Sequence, residues 1–143
     1  MLRKKKIKIA IVEDDFFYNR TLSKYINSIC NSQVYPDAEF EIKSFTTAHD
    51  AIHELEDDLN IMVLDYYLFN PESDEKLNGE DVLDAVNKHC DDCKVIMISA
   101  QKDASTAIEL LKKGIYEYID KNINSSNRLG SIIQKAVQQE LRA

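Results

Sequence analysis

Five short apolar runs alternate with amphipathic stretches along the chain. Two of the runs, residues 61–64 and 95–98, are continuous and rich in Val, Ile, Leu and Met. This composition is typical of strands that are buried on both faces of a parallel sheet. The pattern predicts five β-strands, over residues 7–12, 40–45, 61–64, 95–98 and 116–119.

Apolar side chains between these runs recur at spacings of three and four residues, which places them on one face of a helix. Such stripes predict helices that pack on a core through their apolar face. The five stripes consist of Tyr18, Leu22, Tyr25, Ile26 and Ile29; Ala48, Ala51, Ile52 and Leu55; Val82, Leu83 and Val86; Ile108 and Leu111; and Leu129, Ile132, Ile133, Ala136 and Val137.

Polar and glycine residues mark the expected helix ends. Asn78 or Gly79 lies near the start of the third helix, and Asp103 or Ser105 is predicted to cap the fourth. Gly114 is predicted to end the fourth helix, because glycine readily adopts the left-handed conformation found there.

The alternation of strands and helices predicts an α/β three-layer sandwich with right-handed crossovers and helices on both faces of the sheet. A length of 143 residues suits a single compact domain over residues 1–143. In such sheets, ligands bind beyond the carboxyl ends of the strands. We therefore expect the chemistry of this chain at that edge.

Four of the predicted strands lead into polar side chains. The acidic residues 13–15 follow the first strand, Asp65 follows the third, Ser99 follows the fourth, and the fifth leads to Lys121. Because the carboxyl ends of parallel strands meet at one edge, these groups should lie together. If the first and third strands are neighbours, Asp14 and Asp65 converge.

This set of groups points to phosphoryl transfer. Clustered carboxylates repel one another and favour a bound cation, and hard oxygen ligands with positions left for water and phosphate suit Mg²⁺. Lys121 fits as a point charge on one phosphoryl oxygen, and the Ser99 hydroxyl can donate a hydrogen bond to another. The acceptor would be an aspartate of this cluster, which would become a covalent aspartyl phosphate.

The overall charge narrows the range of partners. The chain carries 25 acidic and 18 basic residues, for a formal net charge of -7. An acidic surface argues against nonspecific nucleic-acid binding, because phosphate contacts need a basic face.

The basic run at residues 3–6 lacks the apolar stretch of roughly 7 to 15 residues that follows in a secretory signal, and we interpret it as a solvated leader. Since no window approaches the roughly 18 apolar residues of a membrane span, we expect a cytoplasmic protein without a membrane partner.

Cys90 and Cys93 form a C-x-x-C motif, with His89 beside it. A structural zinc site usually has four ligands, and the sequence contains no second pair of cysteines. We therefore interpret this motif as a helix end followed by a loop.

Four segments of the sequence resemble the response-regulator receiver family. They are Ile-Ala-Ile-Val-Glu-Asp-Asp at 9–15, Ile-Met-Val-Leu-Asp-Tyr-Tyr-Leu at 61–68, Val-Ile-Met-Ile-Ser-Ala at 95–100 and Gly-Ile-Tyr-Glu-Tyr-Ile-Asp-Lys at 114–121. The resemblance extends over about residues 6–141. It implies a flavodoxin-like, doubly wound, five-stranded parallel sheet with the strand order 2-1-3-4-5.

The resemblance also implies a metal site. Glu13 and Asp14 would hold Mg²⁺, with Asp14 as the direct ligand. Asp65 would be both phosphoacceptor and metal ligand, and the backbone carbonyl of Tyr67 a further ligand.

The family further implies a signalling switch and not an enzyme in the ordinary sense. Lys121 would bind the phosphoryl group, and Ser99 and Tyr118 would form the switch pair. The donor would be a sensor histidine kinase or a histidine phosphotransfer protein. The response would pass through the face formed by the fourth helix, the fifth strand and the last helix to a downstream target. Such a domain assists its own phosphorylation and dephosphorylation.

Two features depart from the family pattern. The family usually places Pro after the lysine, often behind a cis bond, whereas Asn122 follows Lys121 here. Because a cis bond before a non-proline residue costs roughly 2.5 to 4 kcal/mol, we expect a trans bond. The family also has Pro four residues after the acceptor, where this chain has Phe69, and the loop over residues 70–78 is unusually long.

Three other functions remain as alternatives. A haloacid-dehalogenase type of Mg²⁺-dependent aspartyl phosphatase would need a second Asp where Tyr67 stands. A flavodoxin would need a hydroxyl- and Gly-rich phosphate loop where residues 13–15 are acidic. A degenerate receiver that acts only as a docking scaffold would not require the intact set of Asp14, Asp65, Ser99 and Lys121.

The predicted last helix runs nearly to residue 143, so the chain would act by docking or as part of a longer protein.

Overall fold

The computed structural model describes residues 3–68, 77–100, 104–122 and 125–143. Strands and helices alternate along these residues as the sequence predicts. No helix in these ranges has both the length and the apolar character needed to cross a membrane. The elements are β1 (Lys5–Val12), α1 (Phe16–Ile29), β2 (Ala38–Phe45), α2 (Ala48–His53), β3 (Ile61–Asp65), α3 (Gly79–His89), β4 (Lys94–Ser99), α4 (Ala104–Lys112), β5 (Glu117–Asp120) and α5 (Ser125–Arg142).

The five strands form one parallel sheet in the order β2-β1-β3-β4-β5. The strand order that the resemblance implies is confirmed. The chain runs from β1 outward to β2 and then returns to β3 on the other side of β1. The order of the strands therefore reverses between β1 and β3, and a doubly wound sheet binds its ligands at this point.

One face of the sheet packs against α1 and α5. Successive side chains of a strand point to opposite faces, and Ile9 and Ile11 of β1 lie on this side. They share a buried cluster with Ile26 of α1 and Ile133 of α5. The stripes predicted for the first and last helices are therefore confirmed as core.

The opposite face packs against α2, α3 and α4. Val12 of β1 and Leu64 of β3 point to this side and join Ala51, Val86 and Leu110, one from each helix. Both faces of the central strands are buried in this way, which explains why residues 61–64 and 95–98 are continuously apolar.

The first strand begins earlier than the sequence predicts. β1 starts at Lys5, inside the basic run that we interpreted as a solvated leader. Lys5 pairs with Ala38 in the sheet, and its ammonium group donates a hydrogen bond to the backbone carbonyl of Glu140 at the end of α5. The leader interpretation is therefore wrong for Lys5 and Lys6, because both residues pair with β2 in the sheet.

Two of the predicted helix-end signals are confirmed, at Asn78 and at Gly114. Asn78 caps α3, with its side-chain oxygen accepting from the backbone N–H groups of Glu80 at 2.9 Å and Asp81 at 3.2 Å. Gly114 follows α4 with a φ of 90°, a left-handed conformation that favours glycine. Ser105 lies within α4 and is not its cap, and Asp103 lies outside the described residues.

The C-x-x-C motif lies between α3 and β4. Cys90 is the C-terminal cap that follows α3, and its thiol donates a hydrogen bond to the carbonyl oxygen of Glu56 at 2.9 Å. Burial raises the pKa of the Cys93 thiol to about 12. The prediction of a helix end followed by a loop is confirmed.

The fourth helix turns a different face to the core than its stripe predicts. Ile108 and Leu111 are 53% and 51% exposed, whereas Leu110 is 1% exposed. The stripe that faces the core instead consists of Ala107, which is half-buried, and Leu110. Two apolar lines are present on this short helix, and packing against Met97 of β4 and its neighbours decides between them.

Leu110→Ala should therefore destabilise the fold far more than Leu111→Ala. We expect Leu110→Ala to cost about 2 to 5 kcal/mol, because it removes a buried side chain and leaves a cavity. Leu111→Ala should stay within about 0.5 kcal/mol, as is usual for exposed positions. Urea denaturation of the two variants measures both free energies of unfolding. Equal losses would contradict the described orientation of α4.

Candidate functional site

The carboxyl edge of the sheet brings the predicted polar groups together. Asp65 ends β3 opposite Ile98 of β4, and Ser99 ends β4 opposite Asp120 of β5. The backbone N–H of Lys121 donates to the carbonyl of Ser99 at 2.7 Å, so Lys121, the residue after β5, lies beside the end of β4. Parallel pairing thus aligns the four predicted strand ends at one edge.

Three carboxylates converge where the strand order reverses. Glu13, Asp14 and Asp65 each place an oxygen within 4.8 Å of the others. Glu13 is 1% exposed and Asp65 is 4% exposed, while Asp14 is half-buried. Within the ranges that the structure describes, no other group of three His, Cys, Asp or Glu residues converges in this way. The predicted convergence of Asp14 and Asp65 is confirmed.

Glu13 is held between β1 and α1 by hydrogen bonds. Its backbone N–H donates to the carbonyl of Phe45 at 3.0 Å, and its Oε2 accepts from the backbone N–H of Asp15 at 3.1 Å. The side-chain amide of Asn19 donates to the carbonyls of both Glu13 and Phe45, at 3.0 and 2.9 Å. Asn19 therefore ties α1 to the ends of β1 and β2, a role that nothing in its sequence context signals.

Lys121 bridges two of the carboxylates. Its Nζ lies 2.5 Å from Glu13 Oε1 and 3.3 Å from Asp65 Oδ2. The same ammonium group lies over the ring of Tyr18, 4.6 Å from the ring centroid. The sequence predicts Lys121 at this edge, but it does not predict that Glu13 is its nearest partner.

Burial and charge shift the ionisation of this cluster. Burial raises the pKa of Glu13 to about 8 and also raises the pKa of Asp65, while contact with Lys121 opposes both shifts. For Lys121, burial lowers the pKa, but the hydrogen bond to Glu13 and the charge of Asp65 outweigh it and the net shift is upward. Even with Lys121 present, both pKa values stay above the usual range of a carboxylic acid, so a divalent cation that favours the ionised form of these groups fits the charge of the site.

The donor atoms of the site also fit Mg²⁺. All three side chains offer carboxylate oxygens, which are the hard ligands that this ion prefers. Asp14 is partly open to solvent, which leaves room for the water ligands that Mg²⁺ retains. The cluster of these three residues contains no sulfur or imidazole ligand that would favour a softer metal.

The residues after Asp65 are fixed by backbone hydrogen bonds. The N–H of Tyr66 donates to the carbonyl of Ile98 at 2.9 Å, and the N–H of Tyr67 donates to Asp65 Oδ1 at 3.2 Å. The Tyr67 side chain is exposed, with its ring edge-on to that of Tyr66. The long loop that begins at Phe69 lies outside the described residues up to Lys76.

Gly79 is a site residue that sequence analysis treats only as a helix start. Its backbone N–H donates to the carbonyl of Tyr66 at 2.9 Å. A Cβ atom at this position would lie 2.4 Å from the carbonyl oxygen of Asp65 and 2.7 Å from the Cα of Tyr66. The start of α3 therefore approaches the end of β3 so closely that only glycine fits. Gly79 is the first glycine after β3 in the sequence, and this position is the feature from which a close approach to the strand could have been predicted.

Ser99 and Tyr118 lie on the same face of the sheet. Tyr118 of β5 pairs with Met97 of β4, two residues before Ser99. Ser99 is buried, and Tyr118 is half-buried against the cluster on the α2, α3 and α4 side. Beyond β5, the peptide bond between Lys121 and Asn122 is trans, as the sequence predicts.

Comparison with known proteins agrees with this architecture. The sequence model of the response regulator receiver domain matches residues 9–134. The chain is 31% identical over 79 residues to the nitrogen assimilation regulatory protein NtrX of Azorhizobium caulinodans, covering 55% of this chain and 16% of that protein. It is 26% identical over 134 residues to the transcriptional regulatory protein CitT of Halalkalibacterium halodurans, covering 92% of this chain and 54% of that protein. The chain thus spans about half or less of the length of these relatives.

Solved structures share the fold. A response regulator receiver domain protein from Clostridium thermocellum superposes with a TM-score of 0.72 at 18% identity, covering 94% of this chain and 96% of that one. The match of the family model spans most of the chain, and the sheet order and strand ends agree with it. This chain therefore belongs to the response regulator receiver domain family.

Proposed function

We propose that this chain is a phosphoacceptor switch of a two-component system, and that Asp65 is the acceptor. The observation that carries the proposal is the position of the Asp65 carboxylate. It ends a central strand, lies within the acidic cluster, and is 3.3 Å from the ammonium group of Lys121. The donor would be the phosphohistidine of a sensor histidine kinase or of a histidine phosphotransfer protein.

The surroundings of Asp65 are better suited to a phosphoryl acceptor than the surroundings of Glu13. Glu13 is enclosed, with one oxygen on Lys121 and the other on the backbone N–H of Asp15. Asp65 is flanked by Lys121 and by the N–H of Tyr67, two donors that can neutralise charge on an incoming phosphoryl group. Positioning and charge neutralisation are the main contributions a protein makes to phosphoryl transfer.

The proposed reaction is a simple displacement. An oxygen of the Asp65 carboxylate forms a bond to phosphorus while the bond from phosphorus to the donor imidazole nitrogen breaks. The imidazole retains the electron pair and takes up a proton. Lys121 then exchanges its contact with Asp65 for one with a phosphoryl oxygen, and the Ser99 hydroxyl donates to another.

Mg²⁺ would be held by Asp14 and Asp65, with the Tyr67 carbonyl as a further ligand and Glu13 supporting the site. The half-buried position of Asp14 supports its role as the direct ligand, because Glu13 already engages Lys121. When bound, the ion would supply positive charge against the phosphoryl oxygens. The chain itself supplies the converging carboxylates and excludes water from most of Glu13 and Asp65.

Signal output is proposed through Ser99 and Tyr118 to the face formed by α4, β5 and α5. If the Ser99 hydroxyl is drawn toward the phosphoryl group, it vacates space that the Tyr118 ring can fill. This exchange would give the face two conformational states. The exposed apolar side chains Ile108 and Leu111 of α4 support a role for this face in binding a protein target.

Asp65→Asn should abolish phosphorylation by a small donor such as acetyl phosphate, because an amide lacks the nucleophilic carboxylate oxygen. The wild-type chain should gain one phosphoryl group, and only in the presence of Mg²⁺. Intact-protein mass spectrometry measures the adduct. A full-yield adduct on the Asp65→Asn variant would refute the assignment of the acceptor.

Asp14→Asn should weaken Mg²⁺ binding by at least about tenfold, because it removes a charged hard ligand. Asp15→Asn is the matched control from the same acidic run. Asp15 caps α1 through a hydrogen bond from the N–H of Tyr18 at 3.0 Å, and Asn caps helices equally well. Calorimetric titration with MgCl₂ compares the three proteins. The same affinity in wild type and Asp14→Asn, or a greater loss in Asp15→Asn, would place the ion elsewhere.

A further inference from the structure

The ring of Tyr18 contacts the ammonium group at the centre of the site. The Lys121 Nζ lies 4.6 Å from the ring centroid, within the range of about 6 Å in which an aromatic face attracts a cation. Glu13, Asp65 and the Tyr18 ring therefore surround one ammonium group. The proposed function assigns roles to the two carboxylates but none to the ring.

The position of the ring is set by helix α1 and not by the acidic cluster. Tyr18 lies in the first turn of α1, and its backbone N–H donates to the capping carboxylate of Asp15 at 3.0 Å. Its side chain packs against the cluster that joins α1 and α5 to the sheet. The helix cap thus holds the backbone of Tyr18, and the core holds its side chain.

The ring and the carboxylates hold Lys121 in physically different ways. The attraction of Glu13 and Asp65 depends on their negative charge, and that charge is neutralised when they share a divalent cation or when Asp65 is esterified. The attraction of an aromatic face depends on its quadrupole, which does not change in those states. The ring therefore keeps attracting Lys121 when the carboxylates attract it less.

We propose that Tyr18 is a positioning residue that holds the Lys121 ammonium group at the rim of the acceptor, where it meets the phosphoryl group. This proposal rests on the proposed function of Asp65 and Lys121. The first turn of α1 would then take part in the reaction, through the contact of the Tyr18 ring with the Lys121 ammonium group.

The contact itself can be measured without Mg²⁺ or phosphorylation. Protons near the face of a ring are shifted upfield in NMR spectra, so the Hε protons of Lys121 should resonate upfield of those of exposed lysines such as Lys24. The resonance is assigned by its absence from Lys121→Arg. Tyr18→Phe should keep the upfield shift, and Tyr18→Leu should lose it. An ordinary Hε position in the wild-type chain would overturn the proposal.

The functional consequence is a change in rate. In Tyr18→Leu, we expect the rate of phosphorylation by acetyl phosphate at saturating Mg²⁺ to fall by about 3- to 30-fold, the factor that corresponds to loss of such a contact. Tyr18→Phe should retain the wild-type rate, because it keeps the aromatic face. The affinity for Mg²⁺ should be the same in all three proteins.

A second tyrosine of α1 provides the matched control. Tyr25 is half-buried, lies about two turns along the helix from Tyr18, and places its hydroxyl against Gly130 of α5. Tyr25→Leu should lose stability comparable to Tyr18→Leu in thermal melting, yet keep both the Hε shift and the rate. If Tyr18→Leu does not fold, Tyr18→Met replaces it.

The outcomes separate the two proposals. A wild-type rate in Tyr18→Leu or Tyr18→Met would overturn the positioning role, and so would an equal loss of rate in Tyr25→Leu. If the wild-type chain accepts no phosphoryl group at all, the proposed function fails, and the positioning role in that reaction fails with it. The Hε shift would then still report the contact between Tyr18 and Lys121.

Discussion

The contact of one ammonium group with two buried carboxylates is the interaction on which the site depends. Lys121 Nζ joins Glu13 and Asp65, which are almost fully buried at the carboxyl edge of the sheet. Removing charges from water is costly, and the attraction between them offsets this cost only with close geometry and further hydrogen bonds. Here the backbone N–H groups of Asp15 and Tyr67 provide those bonds. Asp14 adds a third negative group, so the cluster favours a cation.

The two hydrophobic layers give this cluster its geometry. Each central strand is buried on both faces, so slipping its register by one residue would move its side chains from one layer to the other. The register fixes Asp65 opposite Ile98 and places Lys121 beside Ser99. The starts of α1 and α3 then close around the strand ends, through Asn19 on one side and Gly79 on the other. The site is thus assembled by elements whose stability lies in the core.

The sequence was sufficient for the features that depend on local pattern. Short apolar runs predict the five strands, and the polar residues that follow them predict a cluster at one edge of the sheet. The structure brings Glu13, Asp14, Asp65, Ser99 and Lys121 to that edge. The strand order came from family resemblance, because no local pattern contains it.

What the sequence did not predict depends on contacts between distant residues. The exposure of Ile108 and Leu111 could not be foreseen, since α4 has a second apolar line through Leu110 and tertiary packing chooses between them. The pairing of Lys121 with Glu13 joins residues 108 positions apart. The need for glycine at position 79 arises from the approach of α3 to the carbonyl of Asp65.

The assignment of Asp65 as acceptor can be tested with a crystal structure of the chain bound to Mg²⁺ and beryllofluoride, a stable mimic of a phosphoryl group. We expect beryllofluoride on an oxygen of Asp65, Mg²⁺ bound to Asp14 and Asp65, and Lys121 Nζ moved from Asp65 to a fluoride. Beryllofluoride on another carboxylate, or Lys121 still bound to Asp65 with no contact to a fluoride, would contradict it.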